Sequence, residues 1–354
     1  MEDLRIDSHK LLYHTERVHY WLKGKDIYPI YVEISPSGTC NHRCIFCAFE
    51  YLNYKPQFIN KDVLKKTLSE MARCQVKSVM FSGEGEPFLH KDMPDFIAHA
   101  RRVGLDVAVA INGVLFTPNI ARQCLGSLTW IKVSINAGTK KTYAKIHGCR
   151  EEDFDKVISN IKAAVRIKKK NKYACTIGAQ IVLLPENIQE VIKLADLLKN
   201  IGIDYLVVKP FVKHLMSSHN ITRELTKKEL LKLENKLKKF DRGNFKVYFR
   251  AHSFFKIKQP RAYKKCLSLS FFCEITSNGN IYTCGPFLGK DNFCYGNIYK
   301  NSFVEIWKGQ KRKRILNMVA TKLDVRKCMK NCRLDEINKY LWELKHLPLH
   351  VNFI

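Results

Sequence analysis

Short runs of β-branched and aromatic residues alternate with amphipathic helical patterns from about residue 28 to residue 240. A strand followed by a helix and then by another strand is typical of a parallel sheet, because the crossover helix returns the chain to the same end of the sheet. Six such units are too few to close an eight-stranded barrel. The pattern therefore predicts an α/β fold with a partial, TIM-like (β/α)6 barrel. The predicted strands are "IYVEIS", "VKSVMFSG", "DVAVAING", "WIKVSINA", "CTIGAQIVL" and "YLVVKPFV".

Local signals predict where some helices and turns begin and end. In "NIQEVIKLADLLKN" the residues Asn187 and Glu190 are spaced as a capping box. In "EITSNGNIYTC" the pair Asn278–Gly279 predicts a β-hairpin with a type I′ turn. The sequence changes character near residue 245. We expect an N-terminal extension at 1–27, the barrel at 28–245 and a small α+β domain at 260–340, whose modest core a metal would stabilise.

The formal net charge is +28, with 61 Lys and Arg against 33 Asp and Glu. The basic residues are spread along the chain, often beside acidic ones, which favours a solvated lysine-rich surface over a nucleic-acid site. An anionic small substrate is compatible with this charge. No run approaches the ~18 apolar residues of a membrane span, and the N-terminus lacks the apolar segment of a signal peptide. We therefore expect a cytoplasmic protein without a membrane partner.

Thirteen cysteines in a chain without a secretion signal are more typical of metal or cluster ligands than of disulfides. Three of them lie in "CNHRCIFC", directly after the first predicted strand: Cys40, Cys44 and Cys47. Loops in this position form the active site of α/β barrels. Three thiolates leave one ligand position open. His42 could complete a zinc site, or the three could hold a four-iron cluster with one iron open to a substrate.

The C-x3-C-x2-C spacing, with the aromatic Phe46 before the last cysteine, resembles the radical S-adenosylmethionine (radical SAM) superfamily. The resemblance implies that these cysteines bind a [4Fe-4S] cluster whose open iron binds S-adenosylmethionine. It also implies the reaction: one-electron reduction splits the cosubstrate, and the resulting 5′-deoxyadenosyl radical abstracts hydrogen from carbon. An electron donor such as flavodoxin or ferredoxin is the implied partner.

Segments at the ends of later strands extend the resemblance. "FSGEGEP" corresponds to the family's Gly-Gly-Glu-Pro segment, although Glu84 separates Gly83 from Gly85. The resemblance implies that the backbone of these glycines approaches a ligand, and that Glu86, or else Glu84, binds the ammonium of the cosubstrate. "INGVLF" and "VSINAGTKKTYAKIHG" match further segments. The other predicted cofactor contacts are Phe46, Asn112, Ser134, Asn136 and Gln180.

The order of the C-terminal cysteines around the hairpin resembles the SPASM/twitch extension of this superfamily. The resemblance implies one auxiliary [4Fe-4S] cluster, because the C-x2-C-x5-C run of two-cluster members is absent. The predicted ligands are Cys266, Cys284, Cys328 and Cys332. Cys273 and Cys294 are surplus, and either could replace a ligand or donate hydrogen. A zinc ion bound by four thiolates is the alternative.

The substrate is predicted from weaker signals. Lys209 in "VVKPFV" is polar among apolar residues, so it needs an anion such as a substrate carboxylate or phosphate, unless its head reaches solvent. Peptide-modifying members often have a leader-binding domain, and about 27 residues before the first strand are too few for one. We therefore expect oxidation or epimerisation of a small carbohydrate-like or nucleotide-linked substrate. A maturase of a ribosomally synthesised peptide is the alternative, followed by an RNA-modifying enzyme.

Overall fold

The computed structural model describes residues 4, 8–219, 221, 225–241, 243–257 and 259–353. Its strands are β1 (Tyr31–Ile34), β2 (Ser78–Phe81), β3 (Asp106–Ile111), β4 (Trp130–Ser134), β5 (Thr176–Leu183), β6 (Tyr205–Pro210), β7 (Lys246–Phe249), β8 (Phe272–Ile275), β9 (Asn280–Tyr282) and β10 (Cys294–Asn297). Its α-helices are α1 (Thr15–Leu22), α2 (Lys61–Arg73), α3 (Met93–Arg102), α4 (Pro118–Cys124), α5 (Lys140–His147), α6 (Glu152–Asn171), α7 (Val191–Ile201), α8 (Lys227–Leu237), α9 (Ala251–Lys256), α10 (Phe303–Lys308), α11 (Gln310–Lys322) and α12 (Asp335–Lys345). No helix of these described residues is long and apolar enough to cross a lipid bilayer.

The strands of the described residues form one sheet in the order β10-β9-β8-β1-β2-β3-β4-β5-β6-β7. From β1 to β7, neighbouring strands are parallel and in chain order. The predicted α/β fold with a parallel sheet core is confirmed, and the six predicted strands are present as β1 to β6. The hairpin strands β8, β9 and β10 extend the sheet on the other side of β1.

The two faces of the parallel sheet differ in what they contact. Strand residues at alternate positions pack in a large hydrophobic core with the helices: Val32, Val79, Val109, Val133, Ala179 and Leu206. The residues between them point to the opposite side, because successive side chains of a strand alternate. We call that side the inner face; it carries Tyr31, Glu33, Lys132, Ser134, Gln180 and Lys209.

Two strands outside the six predicted units join the parallel part of the sheet. β7 pairs with β6, with Lys246 opposite Tyr205. β8, from the C-terminal segment, pairs in parallel with β1, with Cys273 opposite Val32. Trp307 of α10 accordingly belongs to the same hydrophobic core as the barrel strands. The C-terminal segment therefore shares the core of the barrel, and the boundaries at 1–27, 28–245 and 260–340 stay predictions.

The hairpin between β8 and β9 is present, but its predicted type I′ turn is wrong. Such a turn needs a positive φ at both central residues, and of the pair Asn278–Gly279 only Gly279 has one, at +79°. The Gly279 amide donates to the Thr276 carbonyl at 2.8 Å. A turn centred on Ser277 and Asn278, followed by a left-handed glycine, is a common three-residue hairpin loop.

The predicted capping box of Asn187 and Glu190 is also wrong. The Asn187 side chain is fully buried, and its Oδ1 accepts the Leu184 amide at 2.9 Å. Its Nδ2 donates to the carbonyls of Asn136 and Val182, at 2.9 Å each. The Glu190 carboxylate accepts hydrogen bonds from the Gly138 amide and from the hydroxyls of Thr139 and Thr142. Both side chains therefore bond groups outside α7, which compete with the helix amides. Asn187 links Asn136, which follows β4, to Val182 of β5, and Glu190 binds the residues at the start of α5.

We expect Asn187→Ala to lower the free energy of unfolding by about 3 kcal/mol, because it leaves buried backbone groups without partners. Asn200→Ala is the matched control, since Asn200 is exposed at the end of α7 and its Nδ2 donates to the Asp196 carboxylate at 3.2 Å. Its effect should stay below about 0.5 kcal/mol. Urea unfolding followed by circular dichroism measures both values. Equal effects of the two substitutions would contradict the bridging role of Asn187.

Candidate active site

The loop that contains the first cysteine set, residues 40–47, follows β1 and lies across the end of α5. We call it the cysteine loop. The Arg43 amide donates to the His147 carbonyl at 2.9 Å, and the Ile45 amide donates to the Ile146 carbonyl at 3.0 Å. Carbonyls in the last turn of a helix have no intrahelical partner, so the loop satisfies groups that would otherwise need water. These two hydrogen bonds fix the backbone on both sides of the middle cysteine.

The thiols of the cysteine loop are close enough to affect one another's ionisation. Burial raises the pKa of Cys44 well above its ordinary value, and the Cys47 and Cys40 thiols raise it further. Burial also raises the pKa of Cys40, to about 11, with a contribution from Glu86. Three neighbouring thiolates therefore need a compensating positive charge, which a metal cluster supplies. The donor set fits the [4Fe-4S] cluster that the resemblance implies.

His42 does not complete a zinc site with these thiols. It is buried, and its Nε2 lies 3.4 Å from the Asp153 Oδ2. Within the described part of the chain, no group of ligand atoms that all lie within 4.8 Å of one another joins His42 to the three cysteines of the loop. Among the described residues His42 forms one such group with Cys44 and His147 and another with Cys149 and Asp153, so its ring lies near one thiol of the loop. A fourth ligand position open to the cosubstrate stays a prediction.

The structure gives a steric reason for the glycines in "FSGEGEP". Gly83 has φ +104°, and a Cβ there would lie 1.9 Å from the Ser35 Oγ. At Gly85 a Cβ would lie 2.0 Å from the Thr39 carbonyl oxygen. Both glycines thus make room for the segment that leads from β1 to the cysteine loop, and the approach of their backbone to a ligand stays a prediction.

Glu84 and Glu86 have different partners. The Glu84 carboxylate accepts the amide of Ser277 in the β8–β9 turn at 2.8 Å. The Glu86 carboxylate is buried and accepts the amides of Asn112 at 2.7 Å and Phe88 at 3.2 Å. Burial raises the pKa of Glu86 to about 7. Because Glu84 faces the hairpin turn, the geometry favours Glu86 for the ammonium contact, which stays a prediction.

The other predicted cofactor contacts lie around the cysteine loop and on the inner face. The Asn112 Nδ2 lies 4.0 Å from the Cys40 Sγ. Asn136 has its side chain bound to protein, because its Oδ1 accepts the Val182 amide at 2.7 Å. The cosubstrate would therefore have to compete with the Val182 amide for the Asn136 Oδ1. The remaining three are half-buried, and their contacts with a cofactor stay predictions: Phe46, Ser134 and Gln180.

Lys209 shares the inner face with Lys132, which the sequence analysis did not select. Burial lowers the pKa of Lys209 to about 7, and the charges of Lys132 and Arg333 contribute. Burial and Arg333 lower the pKa of Lys132 to about 8. In the described residues neither ammonium has a carboxylate at ion-pair distance. The sequence contains the same signal for Lys132 as for Lys209. Each is a lysine among apolar residues in a predicted strand.

Arg333 brings the C-terminal segment to the inner face. It follows Cys332 and contacts the Glu33 carboxylate at 2.6 Å and the Tyr31 hydroxyl at 2.7 Å. Glu274 on β8 lies opposite Glu33, and burial together with the Glu33 charge raises the pKa of Glu274 well above its ordinary value. Sequence patterns gave no signal for Arg333, because its partner Tyr31 lies 302 positions earlier.

The four predicted auxiliary ligands line a common cavity: Cys266, Cys284, Cys328 and Cys332. Asn338 donates from Nδ2 to the Cys266 Sγ at 3.6 Å, and the Leu334 amide donates to the Cys332 Sγ at 3.4 Å. Burial and the Cys328 thiol raise the pKa of Cys332 to about 12. A buried cavity with four thiols fits an iron–sulfur cluster, and the assignment of these residues as its ligands stays a prediction.

The surplus cysteines lie outside the lining of that cavity. Cys273 is fully buried in β8, in the hydrophobic core. The Cys294 Sγ donates to the Gly296 carbonyl at 3.6 Å, in the strand that pairs with β9. Neither thiol therefore replaces one of the four that line the cavity.

Two family profiles match the chain. Residues 34–198 match the radical SAM superfamily, and residues 266–333 match the SPASM iron–sulfur cluster-binding domain. The first match spans β1 to α7 and includes the cysteine loop. The second begins at Cys266 and ends at Arg333, so it spans the four predicted auxiliary ligands.

Similar proteins agree with this assignment. A probable GTP 3′,8-cyclase of Saccharolobus islandicus is 26% identical over 191 residues, 54% of this chain and 57% of that protein. A tungsten-containing aldehyde ferredoxin oxidoreductase cofactor-modifying protein of Pyrococcus furiosus is 22% identical over 303 residues, 80% of this chain and 81% of that protein. The structure of SuiB of Streptococcus suis with bound S-adenosylmethionine gives a TM-score of 0.66 at 18% identity, over 84% of this chain and 70% of that one. The chain therefore belongs to the radical SAM superfamily, carries a C-terminal SPASM domain, and uses S-adenosylmethionine and iron–sulfur clusters as cofactors.

Proposed function

We propose that this chain cleaves S-adenosylmethionine reductively and abstracts hydrogen from a small anionic substrate, carbohydrate-like or nucleotide-linked, that binds at the inner face. When bound, the [4Fe-4S] cluster of the cysteine loop supplies the electron for that cleavage, which yields a 5′-deoxyadenosyl radical. The proposed net reaction is oxidation or epimerisation. An electron donor such as flavodoxin or ferredoxin belongs to the proposal.

The pair of lysines on the inner face carries this proposal. Lys132 and Lys209 are half-buried and have no carboxylate partner in the described residues, and partial burial lowers their pKa values to about 8 and about 7. A buried ammonium without a counter-ion is unfavourable, which is why burial shifts each group toward its neutral form. An anionic substrate group beside them would stabilise the protonated form. Lys209 is the proposed substrate contact.

The comparisons bear on the substrate to different degrees. The relatives named probable GTP 3′,8-cyclases act, by that name, on a nucleotide, which supports a nucleotide-linked substrate, although the chain spans 57% of their length. SuiB has been solved with its precursor peptide SuiA, at a TM-score of 0.66 and 17% identity over 91% of this chain and 75% of that one. That likeness shows the fold alone. A precursor peptide and tRNA are therefore included as alternative substrates in the experiment described below.

We propose that the auxiliary site accepts an electron when the substrate is oxidised. Arg333 follows the predicted ligand Cys332 and contacts Glu33 on the inner face at 2.6 Å. Its charge also lowers the pKa of Lys209. A substrate bound at Lys209 would therefore lie near residues that adjoin the auxiliary cavity.

The function is tested by anaerobic incubation of the reconstituted protein with S-adenosylmethionine and dithionite. The candidate substrates are GTP, sugar phosphates, ribosomal precursor peptides and tRNA. Formation of 5′-deoxyadenosine and mass changes in each candidate are followed by mass spectrometry. We expect stimulation by a small anionic compound. Modification of a peptide or of tRNA alone would contradict the proposed substrate class.

Joint replacement of Cys40, Cys44 and Cys47 by alanine tests the first cluster site. The wild-type protein should hold about eight iron atoms as two four-iron clusters, and the variant about four. The variant should form no 5′-deoxyadenosine, because the open iron is lost. Iron analysis and chromatography measure both quantities. If the variant still formed 5′-deoxyadenosine, the assignment of these three cysteines as the ligands of the first cluster would be wrong.

Cys284→Ala tests the auxiliary site, with Cys294→Ala as the matched control outside the cavity. Cys284→Ala should lose about four iron atoms and substrate turnover, while cleavage of S-adenosylmethionine without substrate persists. Cys294→Ala should retain all iron. The same iron and product assays report the result. Zinc in place of a second cluster in the wild-type protein would rule out the redox role.

Lys209→Met tests the anion contact, with the exposed Lys141→Met of α5 as the control. Using inorganic pyrophosphate as the probe, calorimetry should show affinity about tenfold weaker in Lys209→Met, since a charge-assisted bond is lost. In the wild-type protein the affinity should fall as the pH rises above about 7, because the anion binds the protonated ammonium and the pKa of Lys209 is about 7. Equal affinities in both variants would contradict the role of Lys209.

A further inference from the structure

His147, the last residue of α5, lies against the cysteine loop. Its side chain is buried, and its ring stacks on the ring of Tyr143 with the centroids 4.0 Å apart. Its Nδ1 lies 3.5 Å from the Cys44 Sγ. Its Nε2 lies 3.3 Å from the backbone nitrogen of Asn136 and 3.1 Å from the Nδ2 of the same residue. Each ring nitrogen therefore has its own partner.

The hydrogen bonds of Asn136 decide which ring nitrogen of His147 carries the proton. The Asn136 Oδ1 accepts the Val182 amide at 2.7 Å, so its Nδ2 is the atom that faces the imidazole. The backbone nitrogen of Asn136 is likewise only a donor. Because two donors point at Nε2, that nitrogen accepts. In a neutral imidazole the proton then lies on Nδ1, which faces the sulfur of Cys44.

We propose that His147 is a positioning residue that donates a hydrogen bond from Nδ1 to the Cys44 sulfur and thereby raises the reduction potential of the cluster bound by the cysteine loop. This inference rests on the proposed function, since it takes Cys44 as a cluster ligand. Reduction adds negative charge to the cluster and its thiolates, and a donated hydrogen bond stabilises that charge. The donor side of the bond is buried with His147, which limits the competition from water.

The imidazole is fixed in this orientation from both sides. Asn136 follows β4, and its carbonyl accepts the Nδ2 of Asn187 at 2.9 Å. The backbone carbonyl of His147 accepts the Arg43 amide of the cysteine loop at 2.9 Å. The end of β4, the end of α5 and the cysteine loop thus hold the His147 Nδ1 and the Cys44 sulfur in a fixed relative position. Asn136 acts on the cluster site through His147, which gives this predicted cofactor contact an indirect role.

His147→Phe and His147→Asn test the inference in a Cys284→Ala background, in which the cluster of the cysteine loop is observed without the auxiliary one. Phenylalanine keeps a ring but has no donor, whereas the asparagine amide can place an N–H near the position of Nδ1. Tyr143→Phe is the matched control. It removes, from the ring stacked on His147, a buried hydroxyl for which the described residues offer no hydrogen-bond partner.

An EPR-monitored redox titration measures the effect. In His147→Phe the ratio of reduced to oxidised cluster at a fixed potential should fall about tenfold, a shift of about 59 mV to lower potential for a one-electron couple. His147→Asn should recover part of that shift, and Tyr143→Phe should show none. Iron content should stay at about four atoms per chain in each variant. An unchanged potential in iron-loaded His147→Phe, or an equal shift in Tyr143→Phe, would overturn the inference.

A second measurement does not depend on the stability of the variants. Pulsed EPR of the reduced protein with ¹⁵N-labelled histidine should show a ¹⁵N coupling that His147→Phe lacks. Should His147→Phe fail to retain iron, the coupling in the otherwise unaltered protein, and its loss or weakening in His147→Asn, decide the matter. Protein that holds iron and cleaves S-adenosylmethionine without any histidine coupling would refute the hydrogen bond and leave the proposed function standing.

Discussion

The last turn of α5 has carbonyl groups that no residue of the helix can pair, and the cysteine loop supplies the missing amides from Arg43 and Ile45. The same turn ends in Gly148, at φ +56°, where a Cβ would lie 2.3 Å from the Arg43 carbonyl oxygen. A loop of this kind has no regular structure of its own, so its shape comes from the helix end beneath it. The position of the thiols, and of any cluster bound to them, therefore depends on where α5 ends.

The charged side chains of the inner face differ in whether an opposite charge compensates them. Glu33 is paired with Arg333 at 2.6 Å, so that charge is compensated within the protein. Lys132 and Lys209 have no such partner in the described residues, and burial moves the pKa of each toward neutrality. A partly buried ammonium without a counter-ion is unfavourable, and an anion beside it would offset that cost. This is the physical basis of the proposed substrate contact at Lys209.

Local periodicity was enough to predict strands β1 to β6. The cysteine spacing, together with the motifs at the ends of successive strands, was enough to predict the family, because each of these signals depends on neighbouring residues. The failures involve distant partners. Asn187 and Glu190 have the spacing of a capping box, yet their side chains bond strand ends and the start of α5. The close contacts of Gly83 and Gly85 with the segment after β1 had no signal in the sequence either, since Ser35 and Thr39 lie far earlier in the chain. Arg333 could not be predicted at all, since its contact with β1 exists only after the C-terminal segment has joined the sheet.

Strand β1 connects the two cysteine sets. Its C-terminal end leads into the cysteine loop, and its edge pairs in register with β8, where Val32 lies opposite Cys273. The Glu84 carboxylate adds a second tie, because it accepts the amide of Ser277 in the hairpin turn at 2.8 Å. Backbone pairing of this kind resists sliding, since a one-residue slip would exchange the buried and inner faces of the strand. The sheet therefore holds the C-terminal hairpin in register beside the strand that leads into the cysteine loop. In the proposed function, a substrate at the inner face would be held by the same sheet that supports both of these parts of the chain.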